Sequence, residues 1–176
     1  MNNHLVLAIS CPDRPGIVHA VSGLLASLGG NITESQQFGD PVSGVFFMRV
    51  QVETAAPPEL LEAGLRELTR ELQMEWVLDT VGRPMRTLIM VSREEHCLAD
   101  LLFRMRAGRL PMSVTSIASN HARLEGVAAA HGIPFHVIPV TAAGKQAAEA
   151  ELFRLIDEQE VELVVLARYM QILSDD

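Results

Sequence analysis

The stretch at 75–91, EWVLDTVGRPMRTLIMV, decides how the chain is divided. Two strand-like runs, EWVLDTV and MRTLIMV, stand on either side of Gly82-Arg83-Pro84. Glycine and proline are the strongest local punctuators, and the order of elements changes across them. Upstream, two strands come in immediate succession between two helices. Downstream, strands and helices alternate one by one. Two patterns in one chain predict two domains, 1–82 and 83–176.

Working back from the break, HLVLAIS (4–10) reads as a strand followed by CPDRPGIVHAVSGLLASLGGNI (11–32). Ile17, Val18, Val21, Leu24, Leu25 and Leu28 draw one wide apolar stripe on a helix. Asp13 is the expected N-cap, Pro15 suits the first turn, and Gly29-Gly30 supplies the stop. ITESQQFG and GVFFMRVQVE flank DPVSG, a hairpin signal. Pro57-Pro58 opens a second helix with Leu61, Leu65, Leu68 and Leu72 on one face, and EWVLDTV closes the unit. The order β-α-β-β-α-β is the ferredoxin-like pattern, an antiparallel sheet with both helices on one face.

Working forward, MRTLIMV, MSVTSIAS, PFHVIPV and VELVVLA read as strands. HCLADLLFRMRAG, ARLEGVAAAHG and AAGKQAAEAELFRLIDEQE read as the helices between them. This alternation predicts a parallel, doubly wound, Rossmann-like sheet. The apolar run at 161–167 reads as a buried strand. The loop after it, RYMQILS (168–174), lies where open α/β folds place ligands. The overall class is α/β: an α+β unit followed by a parallel-sheet unit.

Composition narrows the partners. Fourteen basic against twenty-two acidic residues give a net charge of −8, which argues against nucleic acid. LVLAI near the start is too short for a signal or membrane span, so a soluble, cytoplasmic protein with no membrane partner is expected. Cys11 and Cys97 have no CxxC partner and read as reduced thiols. The six histidines lack HExxH spacing, so no metal site is expected. GxGxxG and GxxxxGK[ST] are absent, which removes a dinucleotide or P-loop reading. Asn120 and His121 read as a helix cap and a surface residue, His136 as a satisfied core histidine, and His96 as an N-terminal cap.

CPDRPGIVHAVSGLLASLGGNI resembles the opening of an ACT domain, a fold that commonly binds amino acids between paired subunits. That resemblance implies an amino-acid effector near Asp13, Gly16, Ile17, Asn31 and Ile32, and a homo-oligomer formed through the ACT-like units. SNHARLEGVAAAHGIPFHVIPVT and VELVVLARYMQILS resemble the formyltransferase fold of folate-dependent enzymes, and SREEHCLADLLFR fits its first strand–helix turn. In that order, the two units resemble the formyltetrahydrofolate deformylase family. The implied activity is hydrolysis of 10-formyltetrahydrofolate to formate and tetrahydrofolate, supplying formate for purine biosynthesis, with folate as substrate and no cofactor. The implied pterin-binding loop is Tyr169, Met170, Gln171, Ile172 and Leu173.

The family's hydrolytic Asn and His come from an NIHxSxLP-like segment and its Asp from an LDxGPI-like segment. Neither occurs in the chain. Both are expected beyond Asp176, so no catalytic residue is carried over, and the 176 residues alone are expected to be inactive. A glycinamide-ribonucleotide-type formyl transferase, which uses the same folate loop, is the alternative enzyme. The ACT-like unit and the lack of a Gly-rich loop near VSREEHC weigh against it. A non-enzymatic amino-acid-sensing module is the alternative from another class.

Overall fold

Burial alternates along the first strand, Asn3–Pro12 (β1), and sets the first sheet. Leu5, Leu7, Ile9 and Cys11 point inward, as the period of two requires. They meet Val21 and Leu25 of Ile17–Ser27 (α1) and Leu61 and Leu65 of Pro58–Leu72 (α2) in one core. Asn31–Asp40 (β2), Val45–Thr54 (β3) and Glu75–Thr80 (β4) complete an antiparallel sheet in the order β2-β3-β1-β4. Both helices therefore pack on one face. Each fully buried leucine here contributes about 1.5–3 kcal/mol.

The computed structural model describes residues 2–141 and 144–174. The chain divides into two compact units, Met1–Gly82 and Arg83–Asp176, each with a core of its own.

In the first unit the start of α1 differs from the sequence expectation. Its N-cap is Gly16, at φ 98, with no side-chain cap. Asp13 stands too far upstream to cap it. The Asp13 N–H donates to the Gly44 carbonyl (2.8 Å), and its carboxylate lies close against Gly39, so it meets the β2–β3 hairpin. The stop is glycine-built: Gly29 takes φ 66, and the Gly30 N–H donates to the Leu25 carbonyl at 2.9 Å.

The second sheet is parallel, built from Met85–Val91 (β5), Met112–Ser119 (β6), Phe135–Val137 (β7) and Leu163–Ala167 (β8) in the order β7-β6-β5-β8. From Leu88 to Val91 β5 is covered on both faces, which is why those four residues read as an unbroken apolar run. Ile89 and Val91 pack with Leu98 and Leu102 of His96–Arg106 (α3) and Ala128 of Glu125–Ala130 (α4). Leu88 and Met90 pack with Leu152 of Lys145–Glu158 (α5).

Several local expectations change in this unit. His96 is the first residue of α3 and not its cap; Glu95 holds the cap position without a side-chain hydrogen bond. The helix expected from ARLEGVAAAHG begins as a 3-10 turn, Ala122–Leu124. The 161–167 run is also less buried than its composition suggests, with Leu166 51% exposed. Among the described residues β8 pairs with β5 alone and has one face partly open, and an apolar run cannot by itself distinguish one-sided from two-sided burial.

Candidate functional site

The strand order creates a crevice. From β5 the chain winds outward through β6 to β7, then α5 carries it back to β8 on the other side of β5. The direction reverses between β5 and β8, and ligands in open α/β sheets bind outside the carboxyl ends at such a switch point. Ser92 and Arg93 follow β5, Asn120 and His121 follow β6, and Arg168, Met170 and Gln171 follow β8. Together they line an open crevice with about 380 Å³ of room for water.

Hydrogen bonds fix the floor of this crevice. Ser92 Oγ donates to Asn120 Oδ1 at 2.8 Å, and the His121 N–H donates to Ser119 Oγ at 3.1 Å. Arg93 Nε donates to His121 Nε2 at 3.0 Å. In that bond His121 Nε2 is the acceptor. Asn120 and His121 thus differ from the sequence reading: His121 precedes the 3-10 turn without a side-chain cap, and both side chains join the loops at the strand ends. Arg168 turns the chain at φ 61, a left-handed conformation uncommon outside glycine. His136 stands apart on β7. Gln159 Nε2 lies 3.5 Å from its Nε2, and Gln159 Oε1 accepts from Ser116 Oγ at 2.7 Å.

A second, more apolar pocket lies beside the crevice, under the strap formed by residues 169–174. Tyr169 packs against the cluster of Leu88, Met90, Ala118 and Leu152. The strap is tied to α5: the Ser174 N–H donates to Glu149 Oε1 (2.8 Å) and its hydroxyl to Glu149 Oε2 (2.6 Å). Lys145 Nζ stands 3.8 Å from the same carboxylate. With the strap down, the space left for the centre of a water molecule is about 20 Å³, enough for one water.

Of the five residues expected to bind a pterin, Tyr169, Gln171, Ile172 and Leu173 border this pocket. Ile172 is 87% exposed and contributes little wall. Met170, 71% exposed, turns to the crevice instead. Met90, Ala118 and Leu152, with the charged pair Lys145 and Glu149 on α5, form surfaces that the sequence reading did not include.

The residues expected to hold an amino acid do not form one cluster within a chain. Gly16 and Ile17 follow the Pro12 end of β1, and Ile17 is buried in the core. Asn31 pairs with Glu53, which pairs with His4 at the opposite end of β1. The two halves are thus separated by the length of the sheet, with Ile32 37% exposed at the far end.

Comparison with known proteins adds to this geometry. Residues 85–176, just over half of the chain, match the family model described as Formyl transferase. The chain belongs to the formyl transferase family. Ahead of that match, residues 5–63 match the model described as ACT domain. As a formyl transferase family member with an ACT domain, the chain is 46% identical over 173 residues to the formyltetrahydrofolate deformylase of Corynebacterium sp. (strain P-1). The match takes in 97% of this chain and 60% of that protein. The crystal structure of a formyltetrahydrofolate deformylase from Burkholderia mallei ATCC 23344 matches with a TM-score of 0.90 at 40% identity, covering 97% of this chain and 61% of that one. The corresponding structure from Pseudomonas putida KT2440 matches with a TM-score of 0.89 at 36% identity, over 98% of this chain and 63% of that one. The chain therefore spans about 60% of the length of the relatives it matches.

Proposed function

We propose that this chain supplies the effector unit and the pterin-binding wall of an enzyme that hydrolyses 10-formyltetrahydrofolate to formate and tetrahydrofolate. The observation that carries this reading is the match to formyltetrahydrofolate deformylases along 97% of the chain, through both units in the same order. The pocket's chemistry agrees with it. A flat heteroaromatic ring needs apolar walls and a few fixed polar groups, which Met90, Ala118, Leu152 and the 169–173 backbone would supply. Hydrolysis of the formamide also needs a positioned water, a proton shuttle and donors for the oxyanion. In this reading the chain's part is binding and orientation.

The finer parts of the reading follow the same logic. Formate release would serve purine biosynthesis in the cytoplasm. The first unit would take an amino-acid carboxylate on the free N–H groups of α1 near Gly16, with Asn31 and Ile32 of a second copy completing the site. A homo-oligomer through this unit is supported by Phe38 and Phe47, which pair across β2 and β3 and stand exposed, as does Val77 of β4 on the far side of β1.

A chimera tests the proposal. Residues 1–176 replace the matching part of the Corynebacterium relative, and formate release from 10-formyltetrahydrofolate is measured. Turnover within about tenfold of the parent, a loss of no more than about 1.4 kcal/mol of transition-state stabilisation, is the expected result. A folded chimera that releases no formate would contradict it.

A further inference from the structure

We propose that Glu149 is the recognition carboxylate of the pocket under the strap, and that a ligand ring carrying an N–H beside an exocyclic amino group replaces Ser174 on it. The inference rests on the pterin reading above and adds the side chain that would select the ring.

The geometry begins with how Glu149 is satisfied. Its side chain is only 14% exposed, and a carboxylate so covered must keep hydrogen-bond donors. Each oxygen accepts one donor from a single residue, the Ser174 N–H on Oε1 and the Ser174 hydroxyl on Oε2. Two donors side by side on one carboxylate are the pattern of an amidine-like edge, the arrangement that gives a charged acceptor its strongest bidentate contacts. A 2-amino-4-oxopteridine presents such an edge through its ring N–H and its amino group.

The rest of the pocket fits a neutral ring with that edge. Lys145, 3.8 Å from Glu149, balances the carboxylate charge, and Met90, Ala118, Ile138 and Leu152 offer apolar surface to ring faces. The strap residues Tyr169, Gln171, Ile172 and Leu173 leave room for about one water, so a ring can enter only if the strap moves, and Ser174 is the residue that ties the strap's end to Glu149. In the unliganded chain Ser174 therefore occupies the donor positions that the ligand takes.

The test compares ligands and variants together. Tyr169 is the chain's single tyrosine, so 3-fluorotyrosine labelling places one ¹⁹F resonance on the strap. The intact chain is titrated with folic acid and with 2-desamino-2-methylfolic acid, which lacks the amino donor. A hydrogen bond to a charged group predicts that the wild-type chain binds folic acid about 10-fold or more tighter than the desamino compound. Glu149→Gln should reduce that preference to about twofold, and Ser174→Ala should tighten folic acid by about threefold as a competing donor is lost. A wild-type chain without the preference, or Glu149→Gln retaining it in full, would overturn the proposal while leaving the folate reading standing. Absence of folic acid binding in the wild type would overturn both. The wild-type ligand comparison stands even if a variant fails to fold.

Discussion

Arg168 is the residue whose backbone asks most for an explanation. At φ 61 it occupies a conformation that costs an L-residue roughly 1–2 kcal/mol and glycine almost nothing. Strain of this kind persists where neighbours enforce it, and here the turn sends Tyr169 into the core and Met170 to the crevice. Arg168→Gly should therefore stabilise the second unit by about 1 kcal/mol in urea denaturation, because the gain in φ freedom exceeds the added chain entropy. A loss of stability would show that the arginine side chain holds the turn. The strap also has a pH window. Hydrogen bonds from Ser174 hold the Glu149 carboxyl below the ordinary glutamate range. That contribution is present above the ordinary glutamate value and is lost as pH falls through the lower folded value. Burial first, and the Glu149 charge second, push the Tyr169 phenol up. Its contribution is present below the ordinary phenol value and is lost as pH rises through the raised one. Phenolate absorbance from this single tyrosine should accordingly appear later than for a free phenol, and shift part of the way back in Glu149→Gln. An unchanged titration in that variant would separate the phenol from the carboxylate.

The elements show which sequence signals carry structural information and where they fail. Leucines at 61, 65 and 72 recur on one face of α2 and are buried as the period requires, so the helix and its packing side were legible together. Cap positions were less legible. Asp13 has the right chemistry for an N-cap, but the left-handed Gly16 turns the chain before α1 begins, and proximity in sequence did not reveal that bend. The run at 161–167 suggested burial, whereas among the described residues Leu163–Ala167 forms the strand and pairs with β5 alone, because composition does not report which face is covered. Gly30 gives a test at this scale. A Cβ there would lie 2.7 Å from the Leu25 carbonyl oxygen and 2.8 Å from Val52, so α1 and β3 would have to move apart. Gly30→Ala should cost about 1–3 kcal/mol, and Leu65→Ala about 2–5 kcal/mol, by thermal or urea unfolding. A neutral Gly30→Ala would mean that the turn into β2 is free to relax.

At the scale of the whole molecule, the change of pattern at Gly82-Arg83-Pro84 coincides with the boundary between two units whose cores share no residue. The reporters are separate as well. Trp76, whose indole N–H donates to Thr69 Oγ1 at 3.0 Å, lies in the first unit, and Tyr169 lies in the second. Urea transitions followed by tryptophan fluorescence and by a ¹⁹F label on Tyr169 should differ in midpoint, and coincident transitions would mean that the two units unfold as one. The site was legible only in part. The RYMQILS loop could be placed because it follows a strand, but Glu149 and Lys145 come from α5, and Asn120 and His121 follow β6. Such groups converge only when the strand order is known, and a linear pattern does not contain that order. The most direct measurement is amide hydrogen exchange of the chain with and without saturating folic acid. Protection concentrated at residues 169–173 and in the first turns of α5, with β1–β4 unchanged, is the expected result. Protection elsewhere with these amides unaffected would contradict a pterin site beneath the strap.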